Sequence, residues 1–322
     1  MVLERVTGYA RASAGGVADY ARSFFTPTVR LGVTGLSRAG KTVFITSLVD
    51  NLLNGGRLPF FEAMVQGRIT AVYLEPQPDD HVPRFDFEAH HAVLRGAPPD
   101  VPPDWPESTR QISQLRVTFE YESQGLWSSA VESLTGRHVL HLDIVDYPGE
   151  WLLDLPLLTM SYDDWSREAM QLARDPLRTH HATPWLEFLV GLDRQAPQDE
   201  DVARQGAEVF REYLAACRAE SHVLSTVPPG RFLLPGDLAG SPALTFMPLD
   251  LAEGAVAPAG SLHAMMARRY EAYKTTVVKP FYADHFARLD RQIVLVDALA
   301  ALNAGPEAVA DLERALASVL AS

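Results

Sequence analysis

The sequence predicts an α/β protein, because two kinds of segment alternate along the chain. Short runs of β-branched and apolar residues, at 29–34, 139–145 and 293–296, have the length and composition of buried strands. Segments with apolar residues three and four positions apart, at 41–54 and 306–320, have the periodicity of helices. This alternation favours a mostly parallel sheet covered by helices.

Composition and charge restrict the classes of function. The 322 residues include 41 acidic and 28 basic side chains, which gives a formal net charge of −13. We do not expect such a protein to bind nucleic acid as its main partner, since phosphate backbones are bound by basic surfaces. The single cysteine, Cys217, excludes an intramolecular disulfide and favours a cytoplasmic location. No apolar run in the sequence reaches the length of a transmembrane segment.

Two segments differ in character from the α/β pattern. Residues 1–28 have apolar residues at helical spacing, and the N-terminal 41 residues contain six basic and two acidic side chains. A membrane-surface helix fits this pattern, but a helical prefix that docks on its own domain is favoured. Residues 57–106 contain nine of the 23 prolines, which predicts an insertion without long regular elements.

Three further predictions complete the order of elements. Residues 115–121 alternate apolar and polar side chains, which predicts a half-buried strand. Residues 161–225 carry helical patterns, and residues 227–260 form a glycine- and proline-rich connection. A helix is predicted from about residue 262 to residue 288, directly before the strand at 293–296.

The motif that indicates chemistry matches the phosphate-binding pattern G-x-x-x-x-G-K-[ST] at every fixed position, between a predicted strand and a predicted helix. Its residues are Gly35, Leu36, Ser37, Arg38, Ala39, Gly40, Lys41 and Thr42. Backbone N–H groups of such a turn, together with the helix N-terminus, bind a polyphosphate. Lys41 is predicted to reach the β- and γ-phosphates, and the Thr42 hydroxyl to coordinate Mg²⁺. Ser37 and Arg38 either contact phosphate or face solvent.

A second motif, Asp146-Tyr147-Pro148-Gly149, follows the predicted strand at 139–145. A strand that ends in D-x-P-G is the pattern that GTPases place beside the γ-phosphate. Asp146 is predicted to hold Mg²⁺ and the Gly149 amide to contact the γ-phosphate. Glu150 occupies the place of the residue that orients the attacking water in many GTPases. Because a carboxylate there adds negative charge near the triphosphate, we expect slow intrinsic hydrolysis.

Hydroxyl residues between the two motifs are candidates for a first switch, which in GTPases closes on Mg²⁺ when γ-phosphate is present. Thr109 and Ser113 both qualify. Arg110 precedes Ser113 by three residues. This resembles the spacing between the in-cis catalytic arginine and the Mg²⁺-binding threonine of G-protein α subunits. A surface arginine beside a helix cap is an equally good interpretation of Arg110.

Several blocks resemble the YcjX family of bacterial stress-associated P-loop GTPases. The matching blocks are Val33–Thr42, Pro83–Phe85, Trp105–Arg110, Asp146–Pro156, Pro229–Gly236, Lys279–Tyr282 and Asp290–Asp297. The resemblance implies a Ras-like GTPase domain with an inserted helical domain, bound GTP or GDP with Mg²⁺, and a cytoplasmic stress role with a protein partner near the inner membrane. On this basis the chain divides into an N-terminal helical segment (1–28), a partial GTPase domain (29–56, 107–160 and 289–322), a proline-rich switch-region insertion (57–106) and a mainly helical domain (161–288).

Guanine selection is where the sequence departs from that family. GTPases recognise the base through an [NT]-K-x-D motif, and none of the three lysines, Lys41, Lys274 and Lys279, begins a K-x-D sequence. We therefore expect the chain to lack the family's C-terminal sheet strands, including the one that carries base recognition. Three interpretations stay open: a GTP-hydrolysing switch, a nucleotide-responsive interaction module with little or no hydrolysis, and an ATP-using P-loop enzyme.

Overall fold

A computed structural model describes residues 26–36, 39–55, 61–98, 101–106, 111–122, 138–219 and 224–320. Its five-stranded, mostly parallel sheet and its many helices confirm the α/β class. The strands are β1 (Thr28–Gly35), β2 (Ile69–Glu75), β3 (Ser113–Tyr121), β4 (His138–Asp146) and β5 (Arg291–Leu295). They form one sheet in the order β2-β3-β4-β1-β5.

Helices occupy much of the remaining described chain. They are α1 (Lys41–Leu53), α2 (Glu62–Val65), α3 (Phe87–Arg95), α4 (Tyr162–Ala173), α5 (Thr179–Val190), α6 (Glu200–Ala219), α7 (Gly230–Leu233), α8 (Leu262–Tyr273), α9 (Lys279–Asp284), α10 (Ala298–Ala304) and α11 (Pro306–Leu320). A 3₁₀ helix, Gly149–Thr159, follows β4. No helix among the described residues is long and apolar enough to cross a membrane.

The predicted strands at 29–34, 115–121 and 139–145 are confirmed as β1, β3 and β4, and the predicted helices at 41–54 and 306–320 as α1 and α11. The proline-rich stretch contains a strand that the sequence did not predict. Strand β2 occupies a proline-free run within it and pairs antiparallel with β3, for example Val72 opposite Phe119. Residues 1–25 of the N-terminal helical segment predicted for 1–28 lie outside the described residues, and Thr28 is the first residue of β1.

The helix predicted from 262 to 288 is interrupted. Helix α8 ends at Tyr273, a π-helical turn spans Lys274–Val278, and α9 carries Pro280 in its first turn. Proline has no amide to donate, and its ring clashes with the preceding turn of an α-helix. A wider π turn directly before Pro280 relieves that clash, so the apolar periodicity continues while the regular helix does not.

The described residues fall into two compact units, each with its own core. The strand unit comprises those within 1–31, 43–106 and 113–145, and the helical unit those within 32–42, 107–112 and 146–322. In the strand unit the most buried side chains include Ile45, Val49, Leu115, Val117 and Ile144. The helical unit contains an aromatic cluster in which Trp165 stacks on Tyr270 with ring centroids 5.1 Å apart. The predicted division into four segments stays a prediction.

Candidate functional site

The phosphate loop lies between a strand and a helix, as its pattern requires. β1 ends at Gly35 and α1 begins at Lys41. Gly40 has a φ of 74°, in the left-handed region that glycine adopts without strain. The Leu36 amide donates to the Leu295 carbonyl of β5 over 3.0 Å. Both ends of the loop are therefore fixed by regular structure.

The Lys41 side chain connects this loop to the D-x-P-G motif. Its Nζ lies 2.6 Å from Asp146 Oδ1 and donates to the Tyr147 carbonyl over 2.8 Å. The side chains of Lys41 and Asp146 are only 10% and 2% exposed. The Thr34 hydroxyl donates to the same Tyr147 carbonyl over 3.2 Å. Two motifs far apart in sequence thus meet at one buried ion pair.

Burial and neighbouring charges shift the pKa of Lys41 in opposite directions. Desolvation lowers the pKa of Lys41, whereas the carboxylates of Asp146 and Glu150 oppose that shift. Protein ammonium groups bind phosphate oxygens through short, charge-assisted hydrogen bonds. The loop therefore presents, beside its backbone amides, a cation of the kind that polyphosphates bind.

Oxygen donors suited to a magnesium ion lie on both motifs. Thr42 is buried in the first turn of α1, and Asp146 is the last residue of β4. A hydroxyl and a carboxylate belong to the hard oxygen donors that Mg²⁺ prefers, so these residues fit the ion. Ser113, another predicted ligand, is the first residue of β3 and belongs to the strand unit. The described residues contain no cluster of three or more His, Cys, Asp or Glu side chains that could hold a metal ion.

Part of the predicted site lies outside the described residues, namely Ser37, Arg38, Thr109 and Arg110. Their predicted roles stay predictions. Ala39 is described, and its amide donates to the Leu36 carbonyl over 3.2 Å. This short hydrogen-bonded turn is compatible with the compact loop that the glycine pattern predicts.

Gly149 packs directly against the phosphate loop. A Cβ atom built on Gly149 would lie 2.2 Å from the Gly35 carbonyl oxygen and 3.1 Å from the Leu36 amide nitrogen. No side chain fits in that space. The backbone of the D-x-P-G turn therefore touches the backbone of the loop, and only glycine permits the contact.

We expect Gly149→Ala to lower the free energy of unfolding by about 1–3 kcal/mol, because main-chain atoms must move to admit the methyl group. Denaturant unfolding measures the loss. Gly191→Ala is the matched control, since its Cβ would meet only the Phe188 carbonyl, at 4.0 Å. If both variants were equally stable, the close contact between turn and loop would be disproved.

The segment after the turn, Gly149–Thr159, is held by residues distant in sequence. Arg218 Nη2, from the last turn of α6, lies 2.6 Å from Glu150 Oε1. The Arg231 guanidinium lies over the Trp151 ring, 3.3 Å from its centroid. Glu150 was predicted from the sequence as a site residue, whereas neither arginine was. Only the resemblance of the block at 229–236 could have drawn attention to Arg231.

Asp154 anchors the same segment through two hydrogen bonds. Its Oδ1 accepts from the Gly230 amide over 2.7 Å, and its Oδ2 from the Tyr273 hydroxyl over 2.6 Å. Burial raises the pKa of Asp154 to about 6, although the Tyr273 hydroxyl and the Gly230 amide act against the rise. A Cβ on Gly230 would lie 1.9 Å from the Glu150 carbonyl oxygen, so this contact also requires glycine.

The buried carboxyl of Asp154 predicts a pH dependence of stability. Its pKa is about 6 in the folded protein against 3.8 ordinarily, so the folded state holds its proton to higher pH. The stability that the protonated Asp154 carboxyl contributes to the folded state is therefore fully present below pH 3.8. It is lost as the pH rises to about 6. Compared with Asp154→Asn, the wild type should lose roughly 3 kcal/mol of stability over that interval.

Unfolding free energies of the two proteins, measured from pH 4 to pH 7, test this prediction. Tyr273→Phe is the matched variant, since it removes a hydrogen bond that lowers the pKa of Asp154. In that variant the pH-dependent loss should extend to higher pH. A difference between wild type and Asp154→Asn that does not change with pH would contradict the account.

Comparisons with known proteins agree on one family. The model of the YcjX-like family, DUF463, matches residues 29–322. A relative from Escherichia coli, named Ras-like GTPase YcjX, is 42% identical over 303 residues, which cover 91% of this chain and 63% of the relative. A relative of the same name from Shewanella oneidensis is 38% identical over 318 residues, covering 91% and 62%. The chain thus spans less than two thirds of the length of these relatives. It belongs to the YcjX-like family.

Proposed function

We propose that this protein binds guanine nucleotides with Mg²⁺ and hydrolyses GTP as a conformational switch on a Ras-like P-loop fold. The observation that carries the proposal is the buried ion pair between Lys41 and Asp146, which brings the phosphate loop to the D-x-P-G motif. The relatives named Ras-like GTPase favour guanine over adenine as the base. The stress role, the partner near the inner membrane and the cytoplasmic location stay predictions from the resemblance.

Each site residue has a defined task under this proposal. The backbone amides of Gly35–Thr42 and the Lys41 ammonium bind the phosphates. Thr42 and Asp146 would hold the magnesium ion, which would supply positive charge to offset the negative charge of the phosphates. The Gly149 amide contacts the γ-phosphate, so loss of that phosphate is transmitted to the segment at 149–159. Because this segment contacts α6, α7 and α8 through side chains, its movement would be passed to these helices.

The surroundings of Glu150 favour slow hydrolysis. Its carboxylate is paired with Arg218 and is 8% exposed, so it is poorly placed to accept a proton from an attacking water. The same observation supports a second candidate function, a nucleotide-responsive interaction module with little turnover. The two candidates share the binding site and differ only in the rate of the chemical step.

Equilibrium titrations with GTP, GDP and ATP, followed by single-turnover phosphate release, separate the candidates. The proposal predicts a preference for guanine nucleotides and slow release of phosphate from GTP, with an altered rate in Glu150→Gln. Tight GTP binding without turnover would select the interaction module. A preference for ATP would contradict both, and fast release unchanged in Glu150→Gln would refute the role of Glu150.

A further inference from the structure

Arg218 is held at a fixed point beside the candidate site by the packing of α6. The buried face of this helix consists of Ala203, Gly206, Ala207, Phe210, Tyr213, Leu214 and Cys217. Cys217, the residue before Arg218, is fully buried, so the last turn of the helix is anchored in the core. The Arg218 side chain leaves this turn and is 29% exposed.

Its partner, Glu150, is also fixed. Glu150 directly follows Gly149, which touches the phosphate loop, and its carbonyl faces Gly230 without room for a side chain. The two flanking glycine contacts therefore set the backbone position of Glu150. Its carboxylate is 8% exposed and lies 2.6 Å from Arg218 Nη2. Removal of the charged partner of a buried carboxylate leaves an uncompensated charge.

Four charged side chains therefore form two ion pairs near the phosphate loop. Lys41 pairs with Asp146, and Arg218 pairs with Glu150. The Glu150 carboxylate also acts electrostatically on Lys41. Two cations and two anions balance one another. Without Arg218, the Glu150 carboxylate would lie buried near Lys41 without the cation that now contacts it at 2.6 Å.

We propose that Arg218 is a positioning residue that holds and neutralises Glu150, and thereby favours a nucleoside triphosphate over the diphosphate. This inference rests on the proposed function. The discriminating group is the γ-phosphate, because the D-x-P-G turn, which Glu150 directly follows, is the part of the site expected to face it. An uncompensated carboxylate there repels the triphosphate more than the diphosphate. Arg218, which lies on a helix remote in sequence, removes that repulsion by neutralising the Glu150 carboxylate.

The test is the ratio of the affinities for a non-hydrolysable GTP analogue and for GDP. Arg218→Gln keeps a long polar side chain but removes the charge, and it should lower the ratio about tenfold. Arg218→Lys retains a cation and should keep most of the ratio. Arg218→Gln combined with Glu150→Gln should restore it, because the uncompensated carboxylate is gone. Arg204→Gln, a 71% exposed arginine of the same helix, is the matched control.

The ratio of the two affinities separates this role from a merely structural one, because a structural defect would weaken the binding of both nucleotides equally. An unchanged ratio in Arg218→Gln, or failure of the double variant to restore it, would overturn the inference. If Arg218→Gln does not fold, Glu150→Gln alone decides: the ratio should rise, and a fall would overturn the inference. Wild-type protein that binds neither nucleotide would refute the proposed function itself, an outcome distinct from binding with an unchanged ratio.

Discussion

Replacing Lys41 by alanine should weaken GTP binding by about 10- to 100-fold, since charged hydrogen bonds contribute roughly 1.5–3 kcal/mol. Among the described residues of the phosphate loop, the Lys41 ammonium is the cation, and it lies 2.6 Å from Asp146 Oδ1 and 2.8 Å from the Tyr147 carbonyl oxygen. Its removal takes away the group that we propose to bind the phosphates and leaves the Asp146 carboxylate buried without this partner. Both effects disfavour the triphosphate.

Titration of a fluorescent GTP analogue measures the loss, at a temperature where circular dichroism shows the variant to be folded. Lys279→Ala is the matched control, because Lys279 is an exposed lysine of α9. It should bind as the wild type does. Equal affinity of the Lys41 variant and the Lys279 variant would mean that nucleotide, if bound, does not use this loop.

The second large effect concerns stability. Arg178 donates to Asp311 over 2.5 Å, and the two side chains are 1% and 2% exposed. The other Asp311 oxygen accepts from the amides of Ser225 and Thr226, over 2.6 and 3.1 Å. Burial alone would raise the pKa of Asp311, but Arg178 and these amides hold it below its ordinary value. The pair thus connects α11 to the residue before α5 and to the chain at 225–226.

Arg178→Met should lower the free energy of unfolding by about 3–5 kcal/mol, because it removes the buried cation that contacts the Asp311 carboxylate. Adding Asp311→Leu should recover part of that loss, since two apolar groups need no partner. Denaturant unfolding of the single and double variants measures both changes.

Arg314→Ala is the control: Arg314 also contacts Asp311, at 3.4 Å, but is 48% exposed. Its cost should stay within about 1 kcal/mol, and an equal cost would disprove the importance of burial.

The sequence was sufficient for the parts of the fold and site that depend on local pattern. Strand β1, the glycine-rich loop and helix α1 follow from β-branched composition, fixed glycine positions and apolar periodicity within some 25 residues. The sequence predicted that Lys41 and Asp146 serve one phosphate and magnesium site, so their proximity was expected, although the direct ion pair was not predicted. Their expected proximity needed no knowledge of the intervening segment.

Other features depend on tertiary contacts that leave no periodic trace. Strand β2 was missed because prolines dominate its surroundings, while its own proline-free run is stabilised by pairing with β3. Arg218 ends an ordinary amphipathic helix, and only packing of α6 places it against Glu150. The interruption before Pro280 was missed because the apolar spacing continues through it.

Magnesium-dependent nucleotide binding at the Lys41–Asp146 pair is the central claim, and one titration tests it most directly. A fluorescent GTP analogue is titrated into the wild type and into Asp146→Asn, each with Mg²⁺ and with a chelator. We predict saturable binding by the wild type that weakens at least about tenfold without Mg²⁺, and a smaller dependence on Mg²⁺ in Asp146→Asn. Absence of binding, or binding that neither the chelator nor the substitution changes, would contradict the account.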